Sequence, residues 1–376
     1  MRPGCVTGIP ALGKGVTENS GNRPESILAV IVCVRRIMTI MKVVVTGATS
    51  FIGAVTVRQL LEQGHEVYAV VRPDSGNLEH LLGMVLGVRK KMTAGERDTS
   101  GQGEAAVESA ASGQGGAAGG SSVYSGFQLI RLDLRAIGNI SRQVSGADAW
   151  IHIGWDGAGS ENRKKRNVQQ QNVVYALASV RAAGILGCRR FLFTGSQAEY
   201  GVHHDWVTEE TPCRPVSEYG IAKCDFASQA EGICKLLGME YVHARIFSVY
   251  GPGDHPWSLV QSCLRTWQAG GEMVLGACTQ QWNFLYIEDV VSALVHLLTE
   301  GAPGVYNVAG SDTRMLRDYI EEMYRLCGSQ GSFVYGERPE NAEGPADLMP
   351  DITKILTATT WRPRTTFAEG IHELLQ

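Results

Sequence analysis

From Met41 onward the chain alternates between short apolar runs and longer amphipathic segments. The run KVVVT at 42–46 is followed by a helical pattern, AVTVRQLLEQ at 54–63, and then by a second apolar run, EVYAVV at 66–71. Continuous apolar strands separated by helices predict a parallel sheet that is covered on both faces. The alternation continues as far as GVYNVAG at 304–310. We therefore predict a doubly wound α/β fold.

Two stretches lie outside this alternation. Residues 1–40 combine glycine, proline and polar residues with one short apolar run, and we expect them to be a disordered upstream extension. Residues 89–125 are rich in Gly, Ser, Ala, Gln and Glu and contain hardly any large apolar side chain. So little burial cannot offset the loss of chain entropy, which predicts a disordered surface insertion.

The remaining segments divide into a larger and a smaller lobe. We predict a dinucleotide-binding domain over residues 41–253, to which a strand and a helix at 283–300 return. Residues 254–282 and 301–376 are expected to form mainly a substrate-binding lobe. Open parallel sheets bind ligands beyond the carboxyl ends of their strands, so we expect the substrate to lie between the lobes.

Composition and charge narrow the class of partner. The 376 residues carry a net charge of −4, which disfavours a nucleic-acid partner. Apolar runs such as Ile27 to Val34 fall short of the roughly 20 residues that span a bilayer, so no membrane segment is expected. The nine cysteines are scattered without CxxC pairs, a pattern typical of a reducing cytoplasm rather than of a disulfide framework or a metal site.

The segment TGATSFIG at 46–53 joins the first strand to the first helix. A tight glycine turn followed by the free N–H groups of a helix N-terminus is suited to a dinucleotide pyrophosphate. Ser50 stands where a middle glycine is expected. If it needs a positive φ, the cost is about 1 kcal/mol relative to glycine, and its hydroxyl can instead bond a phosphate oxygen. The expected cofactor contacts are Gly47, Thr49, Ser50, Phe51, Ile52 and Gly53.

Residues after the next two strands bear on the choice of dinucleotide. Arg72 follows the second strand, where NAD-selective folds place an acid, and an arginine there accommodates the 2′-phosphate of NADP. We therefore expect NADP or NAD, with NADP favoured. Asp133 and Leu134, in RLDLR, follow the third strand. The aspartate is expected either to accept a hydrogen bond from the adenine amino group or to form the turn.

The segment SEYGIAK places Tyr219 and Lys223 four residues apart on a predicted helix, so both lie on one face. The ammonium can lower the tyrosine pKa, and a phenol with a depressed pKa can move a proton between an alcohol and a carbonyl. Ser196 ends the strand FLFTGS and offers a hydroxyl to the same substrate oxygen. The three residues together predict a hydride-transfer enzyme.

From Met41 to Leu375 the chain resembles the extended short-chain dehydrogenase/reductase family, of the NAD(P)-dependent epimerase/dehydratase type. The motifs that carry this resemblance are TGATSFIG, LDL, NVVYALASVRAAG, FTGSQAEYG, YGIAK, ARIFSVYGPGD, FLYIEDVVSAL and YNVAG. It implies a Rossmann-type domain with Ser196, Tyr219 and Lys223 as catalytic residues and Asn172 at the cofactor. It also implies that Phe247 and Ser248 border the nicotinamide and substrate, and that the protein is a homodimer.

Some positions depart from the family pattern. Dehydratases of this family carry an Asp-Glu pair after the catalytic hydroxyl, whereas this chain has Gln197 and Ala198, which cannot exchange protons at neutral pH. Gln197 is kept as a candidate substrate contact. Trp282 and Asn283 stand in the region where nucleotide-sugar epimerases carry an arginine for the diphosphate, and Arg338 is a candidate replacement.

The sequence thus predicts an NAD(P)-dependent epimerase or reductase acting on a sugar-like alcohol or ketone, with a nucleotide sugar as the expected substrate. A 4-epimerase and a 4-keto reductase are both compatible with the motifs. Two alternatives stay open: an NADPH-dependent reductase of a non-nucleotide ketone or aldehyde, and a catalytically silent dinucleotide sensor.

Overall fold

The apolar runs pair into sheets in the computed structural model, which describes residues 40–95, 123–124, 126–157, 161–328, 330–338 and 346–376. Residues 1–39 of the predicted extension and most of the predicted insertion at 89–125 lie outside these ranges. In chain order the strands are β1 (Lys42–Thr46), β2 (Glu66–Val71), β3 (Val123–Tyr124), β4 (Phe127–Arg131), β5 (Ala149–His152), β6 (Arg190–Ser196), β7 (Glu240–Ile246), β8 (Ser248–Tyr250), β9 (Glu272–Val274), β10 (Gln281–Tyr286), β11 (Gly304–Val308), β12 (Thr313–Met315) and β13 (Ser332–Val334).

The helices occupy the amphipathic segments between these strands. They are α1 (Phe51–Glu62), α2 (Leu78–Gly95), α3 (Arg166–Ile185), α4 (Glu218–Leu236), α5 (Leu259–Gln268), α6 (Ile287–Thr299), α7 (Leu316–Leu326), α8 (Thr353–Ala358) and α9 (Phe367–Leu375). Short 3-10 helices follow β4, β5 and β6, at Leu134–Arg142, Asn162–Lys164 and Gln197–Glu199. Among the residues described, no helix combines the length and the apolar character needed to cross a bilayer.

The main sheet has the strand order β11-β7-β6-β5-β1-β2-β4-β3. Its pairs are parallel except that of β3 with β4, which is antiparallel. Because β1 lies between β5 and β2, the chain reverses its winding there, and a crevice opens beyond the strand ends. The predicted doubly wound α/β fold is confirmed.

Strand alternation explains why both faces of the sheet are covered. Val43 and Val45 point to one face, where α1, α2 and α6 pack, while Val44 points to the other. That second face packs against α3, α4 and the 3-10 helix at Leu134–Arg142. All three valines are fully buried, as a continuous apolar strand requires.

Two shorter sheets accompany the main sheet in the part of the chain that the structure describes. β10 pairs in parallel with β8 and antiparallel with β12, and β9 pairs with β13. β10 is not a strand of the main sheet, but its parallel partner β8 lies within the predicted 41–253 domain. The following helix, α6, packs on α1 and on strands of the main sheet. The return of the segment at 283–300 to that domain therefore stays a prediction.

Two further predicted boundaries differ from the structure. Helix α2 runs to Gly95, so the expected insertion does not begin at Arg89. Its start has apolar residues at helical spacing, and Leu81, Leu82, Val85 and Val88 are buried against the main core. β11, from the segment assigned mainly to the smaller lobe, is the edge strand of the main sheet, because it pairs with β7. The position of the boundary between the lobes otherwise stays a prediction.

Candidate active site

The glycine turn after β1 is shaped by close backbone contacts. Gly47 has φ +70°, and a Cβ there would lie 2.7 Å from the Gly154 nitrogen. A Cβ on Gly53 would lie 2.0 Å from the Gly47 carbonyl oxygen. Only glycine fits either position without a shift of the backbone. The turn therefore brings bare backbone and the N-terminus of α1 to one edge of the sheet, as a pyrophosphate site requires.

Ser50 has a different role from the one its position suggested. Its φ of −76° is ordinary, so the cost of a positive φ does not arise. It is the N-cap of α1, and its hydroxyl oxygen accepts a hydrogen bond from the Gly53 nitrogen at 3.1 Å. Serine is among the favoured N-cap residues because its side chain satisfies a free N–H of the first turn. The serine therefore stabilises the turn that glycine would have left uncapped.

A cavity of about 980 Å³ opens at the carboxyl ends of the main-sheet strands. It runs from the glycine turn, past the ends of β2 and β4, to the end of β6 and the first turns of α4. Thirteen of the residues predicted from the sequence line it: Gly47, Thr49, Ser50, Phe51, Ile52, Arg72, Asp133, Leu134, Asn172, Ser196, Tyr219, Lys223 and Phe247.

Three predicted residues are not among those that line this cavity. Gly53 lies behind the turn, against the Gly47 carbonyl. Ser248 is flanked by Phe247 and Val249, which do line the cavity, and side chains alternate along a strand, so Ser248 faces the other way. Gln197 instead accepts a hydrogen bond from the Ser196 hydroxyl at 2.7 Å. The expected contacts of Ser248 and Gln197 with the substrate stay predictions.

The predicted catalytic residues converge at one end of the cavity. Ser196 ends β6, and its hydroxyl oxygen accepts a hydrogen bond from the Ala198 nitrogen at 3.2 Å. Tyr219 and Lys223 lie one turn apart on α4, which begins at the N-cap Ser217. Lys223 is only 2% exposed, and its ammonium donates to the Thr194 carbonyl at 2.7 Å.

The electrostatics of Tyr219 differ from the expectation. Burial raises the pKa of Tyr219, and the opposing influences are the positive charge of Arg163 and a hydrogen bond with Ser196. The Arg163 guanidinium carbon lies 4.3 Å from the centre of the tyrosine ring. The expectation that Lys223 lowers the tyrosine pKa is not met, because its ammonium turns toward Thr194 and lies 4.1 Å from the Trp155 ring centre.

The pKa of Lys223 is itself displaced. Burial and the charge of Arg163 together lower it to about 7, against the attraction of Glu199. Arg163 therefore acts on both members of the pair. Sequence reasoning missed this residue, which precedes a run of three exposed basic residues at 164–166. Nothing local distinguishes it from them; only the fold turns it toward Tyr219.

A buried carboxylate holds the turn that presents Ser196. Glu199 accepts hydrogen bonds from the Ser196 nitrogen at 2.8 Å and from Arg245 Nε at 2.9 Å, and it lies 3.1 Å from His243 Nε2. Burial alone would raise the pKa of Glu199, but His243, Arg245 and the Ser196 N–H lower it to about 2. Sequence reasoning also missed this support of the predicted catalytic serine, because His243 and Arg245 lie on β7, about 45 residues from Glu199.

Asn172 fixes the loop after β5. Its side-chain oxygen accepts from the Asp156 nitrogen at 2.9 Å, and its side-chain nitrogen donates to the Asp156 carbonyl at 2.7 Å. The adjacent Trp155 indole donates to Gln169 at 2.8 Å, and its ring packs edge-on against Tyr219 at 6.3 Å. The cavity wall beside the catalytic tyrosine is thus held by buried polar contacts from α3.

The strand-end residues Arg72 and Asp133 lie at the rim of the cavity. Arg72 follows β2 directly and is exposed. Asp133 caps the 3-10 helix at Leu134–Arg142 by accepting a hydrogen bond from the Arg135 nitrogen at 2.9 Å. Of the two expectations for Asp133, the structure shows the turn-forming contact.

Asn283, one of the positions that depart from the family pattern, is not among the residues that line the cavity. Asn283 is fully buried and donates to the Gly310 and Asp312 carbonyls and to the Thr313 hydroxyl. It joins β10 to the segment leading into β12. Neither Trp282 nor Arg338 is among the residues that line the cavity.

Residues 43–309 match the model of the NAD dependent epimerase/dehydratase family. A dTDP-D-glucose 4,6-dehydratase of Mus musculus is 24% identical over 217 residues, which are 54% of this chain and 60% of the mouse protein.

Two solved structures share the fold. A UDP-glucose 4-epimerase from Thermotoga maritima, solved with UDP-glucose, aligns with a TM-score of 0.71 at 19% identity, over 89% of this chain and 97% of that one. The UDP-glucose 4-epimerase of Thermus thermophilus, in complex with NAD, aligns with a TM-score of 0.67 at 20% identity, over 89% and 98% of the two chains.

Proposed function

This chain belongs to the NAD dependent epimerase/dehydratase family, and from that premise we propose that it is a 4-epimerase of a nucleotide sugar. The observation that carries the proposal is the convergence of Ser196, Tyr219 and Lys223 at one end of a cavity whose other end is the glycine turn. A dinucleotide and a sugar must meet end to end in such a site. The cavity volume of about 980 Å³ is large enough for a cofactor with part of a substrate.

The glycine turn fits the cofactor. Added Cβ atoms on Gly47 and Gly53 would fill the space where backbone must approach a pyrophosphate, and Ser50 keeps the first turn of α1 in place. When bound, the nicotinamide supplies a hydride acceptor and donor. Thr49, Phe51 and Ile52 would hold the dinucleotide from this turn, and Lys223 would hold the nicotinamide ribose.

The side chains of this chain then handle the proton. Tyr219 removes the proton of the substrate hydroxyl as the carbonyl forms, and returns it when the carbonyl is reduced from the opposite face. Ser196 orients the same oxygen. Arg163 provides positive charge near the phenol, which favours its ionised form. Such proton transfer by a positioned group typically contributes about 10²–10⁴-fold in rate.

Dehydration is disfavoured by the residues beside Ser196. Water elimination needs an acid and a base, and Gln197 and Ala198 supply neither. The Gln197 amide oxygen is already engaged by the Ser196 hydroxyl. The named activity of the mouse relative therefore does not carry over to this chain under the proposal.

A 4-keto reductase is the second candidate, and Arg72 favours it. An exposed arginine at the end of β2, on the rim of the cavity, is suited to the 2′-phosphate of NADP. A reductase exchanges its cofactor after each turnover, whereas an epimerase returns the hydride to the same sugar. The identity of any dinucleotide that co-purifies with the protein separates the two: retained NAD supports the epimerase, and empty protein that binds NADPH supports the reductase.

The direct test is interconversion of UDP-glucose and its C4 epimer, followed by proton NMR. We expect wild-type turnover, and Tyr219→Phe should lower it by roughly 10²–10⁴-fold. Tyr68→Phe, on β2 and away from the cavity lining, is the matched control and should leave turnover unchanged. Full turnover by Tyr219→Phe would refute the mechanism. Turnover only with non-nucleotide ketones, or none with any sugar, would favour the reductase or sensor alternatives instead.

We also propose that the protein is a homodimer formed through α3 and α4. These helices expose Val174, Ile185, Ile221 and Leu236, with 57%, 70%, 45% and 87% of each residue accessible. Apolar side chains clustered on neighbouring helices mark an interaction surface. Sedimentation equilibrium should show a dimer that Ile221→Asp converts to a monomer, and a monomeric wild type would contradict the proposal. The cytoplasmic location expected from the cysteine pattern stays a prediction.

A further inference from the structure

Two cysteines meet behind the candidate active site. Cys213 lies in the loop that leads into α4, and Cys224 lies on α4 directly after Lys223. Their sulfur atoms and a carboxylate oxygen of Glu199 all lie within 4.8 Å of one another. Both cysteines are free, and both are only partly buried. Neither belongs to the machinery described above.

The charges around Cys213 favour its thiolate. Arg245 Nη2 donates to the Cys213 sulfur at 3.0 Å. A hydrogen bond from Cys224 and the Arg245 charge lower the pKa of Cys213 to about 7, against the effects of burial and of Glu199. Tyr200 also packs on this guanidinium, 4.6 Å from its ring centre. A thiol whose pKa is close to the ambient pH is the best attacking group in thiol–disulfide exchange.

Other cysteines of the chain provide a contrast. Cys188, Cys234 and Cys263 are buried, and burial raises the pKa of each to about 12. Buried thiols in apolar surroundings are unreactive. Of these four described cysteines, Cys213 is therefore the one favoured to react at neutral pH, and Cys224 is placed to act as its resolving partner.

We propose that Cys213 and Cys224 form a thiol–disulfide exchange site for a low-molecular-weight disulfide. The Cys213 thiolate attacks one sulfur of that disulfide, which forms a mixed disulfide and releases one thiolate. The sulfur of Cys224 then loses its proton to solvent and attacks the Cys213 sulfur, which closes the intramolecular bond and releases the second thiolate. Two protein thiols are oxidised, and the small disulfide is reduced to two thiols.

The second step is assisted by the first. The negative charge of Cys213 and its hydrogen bond to Cys224 are among the causes that raise the pKa of Cys224. The mixed disulfide removes that charge, so Cys224 ionises more readily while Arg245 stays in place. The new bond would tie the loop before α4 to the helix one residue after Lys223.

A soft divalent cation is the other occupant that two thiols and a carboxylate suggest. The Arg245 guanidinium argues against it, because it donates both to Glu199 and to Cys213 and already places a positive charge between them. Zinc retention is therefore an outcome that would overturn the proposal.

The experiment uses the full chain, first reduced and then incubated with glutathione disulfide, followed by peptide mapping without reductant. We expect a Cys213–Cys224 cross-link in the wild type and a stable glutathione adduct on Cys213 in Cys224→Ser. Cys327→Ser removes another partly buried cysteine and should leave the cross-link intact. Three results would each overturn the proposal. Glutathione could stay on Cys213 in the wild type, or both cysteine sulfurs could be recovered reduced. The protein could also retain one zinc per chain that protects both cysteines from oxidation.

Alkylation by iodoacetamide tests the same site without forming the bond. Near pH 7, Cys213 should react a few-fold faster than a thiol of ordinary pKa, because its larger thiolate fraction is partly offset by lower nucleophilicity. Cys224→Ser keeps a hydrogen-bond donor and should preserve the pH profile. Cys224→Ala removes the donor and should move the profile to higher pH. Identical profiles for the two variants would contradict the role of Cys224 as donor.

Discussion

Arg163 offers the sharpest test of how this site ionises its tyrosine. The Arg163→Gln variant removes one positive charge 4.3 Å from the Tyr219 ring centre and keeps a side chain of similar length. Since Arg163 lowers the pKa of Tyr219 and also that of Lys223, its removal should raise both. The phenolate form then requires a higher pH.

The size of the effect follows from the separation of the charges. Two unit charges about 4 Å apart interact by roughly 4 kcal/mol at an effective dielectric constant near 20, and by roughly 1 kcal/mol in water. Arg163 is only partly buried, so solvent screens it and the lower part of that range applies. An interaction of about 1–2 kcal/mol corresponds to roughly one pKa unit.

The assay is the pH profile of kcat/KM for epimerisation, whose acidic limb reports the groups that must lose a proton in the free enzyme. We expect that limb to move up by about one unit in Arg163→Gln and to stay near its original position in Arg163→Lys. Lys164→Gln is the matched control, because it removes an exposed neighbouring charge. Superimposable profiles for Arg163→Gln and the wild type would refute the role given to this arginine.

Four further changes test the cofactor turn and its supports. Ser50→Gly should cost only a few tenths of a kcal/mol and alter dinucleotide affinity modestly in calorimetric titration; complete loss of binding would contradict the capping role. Gly53→Ala places a Cβ 2.0 Å from the Gly47 oxygen. The same titration should therefore show a dinucleotide affinity lower by on the order of tenfold or more. An unchanged affinity would be inconsistent with that geometry. Asn172→Ala removes both hydrogen bonds to Asp156, and urea unfolding should show that the free energy of unfolding falls by about 2–4 kcal/mol. A change within error would show that other contacts hold the loop. Glu199→Gln leaves Arg245 and His243 without their buried carboxylate and should cost about 3–5 kcal/mol in the same assay. Because the folded-state pKa of Glu199 is lowered, the wild type should lose this contribution as the pH falls from its ordinary pKa of 4.5 toward about 2, and the variant should lack that part of the slope.

Features that depend on local geometry could be predicted from the sequence alone. A continuous apolar strand must be buried on both faces, so the run at Lys42–Thr46 predicted a strand of a covered parallel sheet, and β1 is one. A four-residue spacing on a helix places Tyr219 and Lys223 on the same face whatever surrounds them. The glycines at the start of the first helix also predicted the tight turn, because the backbone freedom of glycine is likewise a local property.

Which distant residues meet depends on the packing of the folded chain and could not be predicted from local patterns. The periodicity of β10 is the same whether it joins the main sheet or pairs with β8 and β12, and no local pattern distinguishes Arg163 from the cations that follow it. The contact of Glu199 with Arg245 depends on how a loop packs against a strand that follows tens of residues later. The contact of Cys213 with Cys224 depends on how a loop packs against the helix that follows it. Hydrophobic patterning sets which face of an element is buried, whereas the partner that it meets, and therefore the charge beside each catalytic group, is set by the packing of the whole chain.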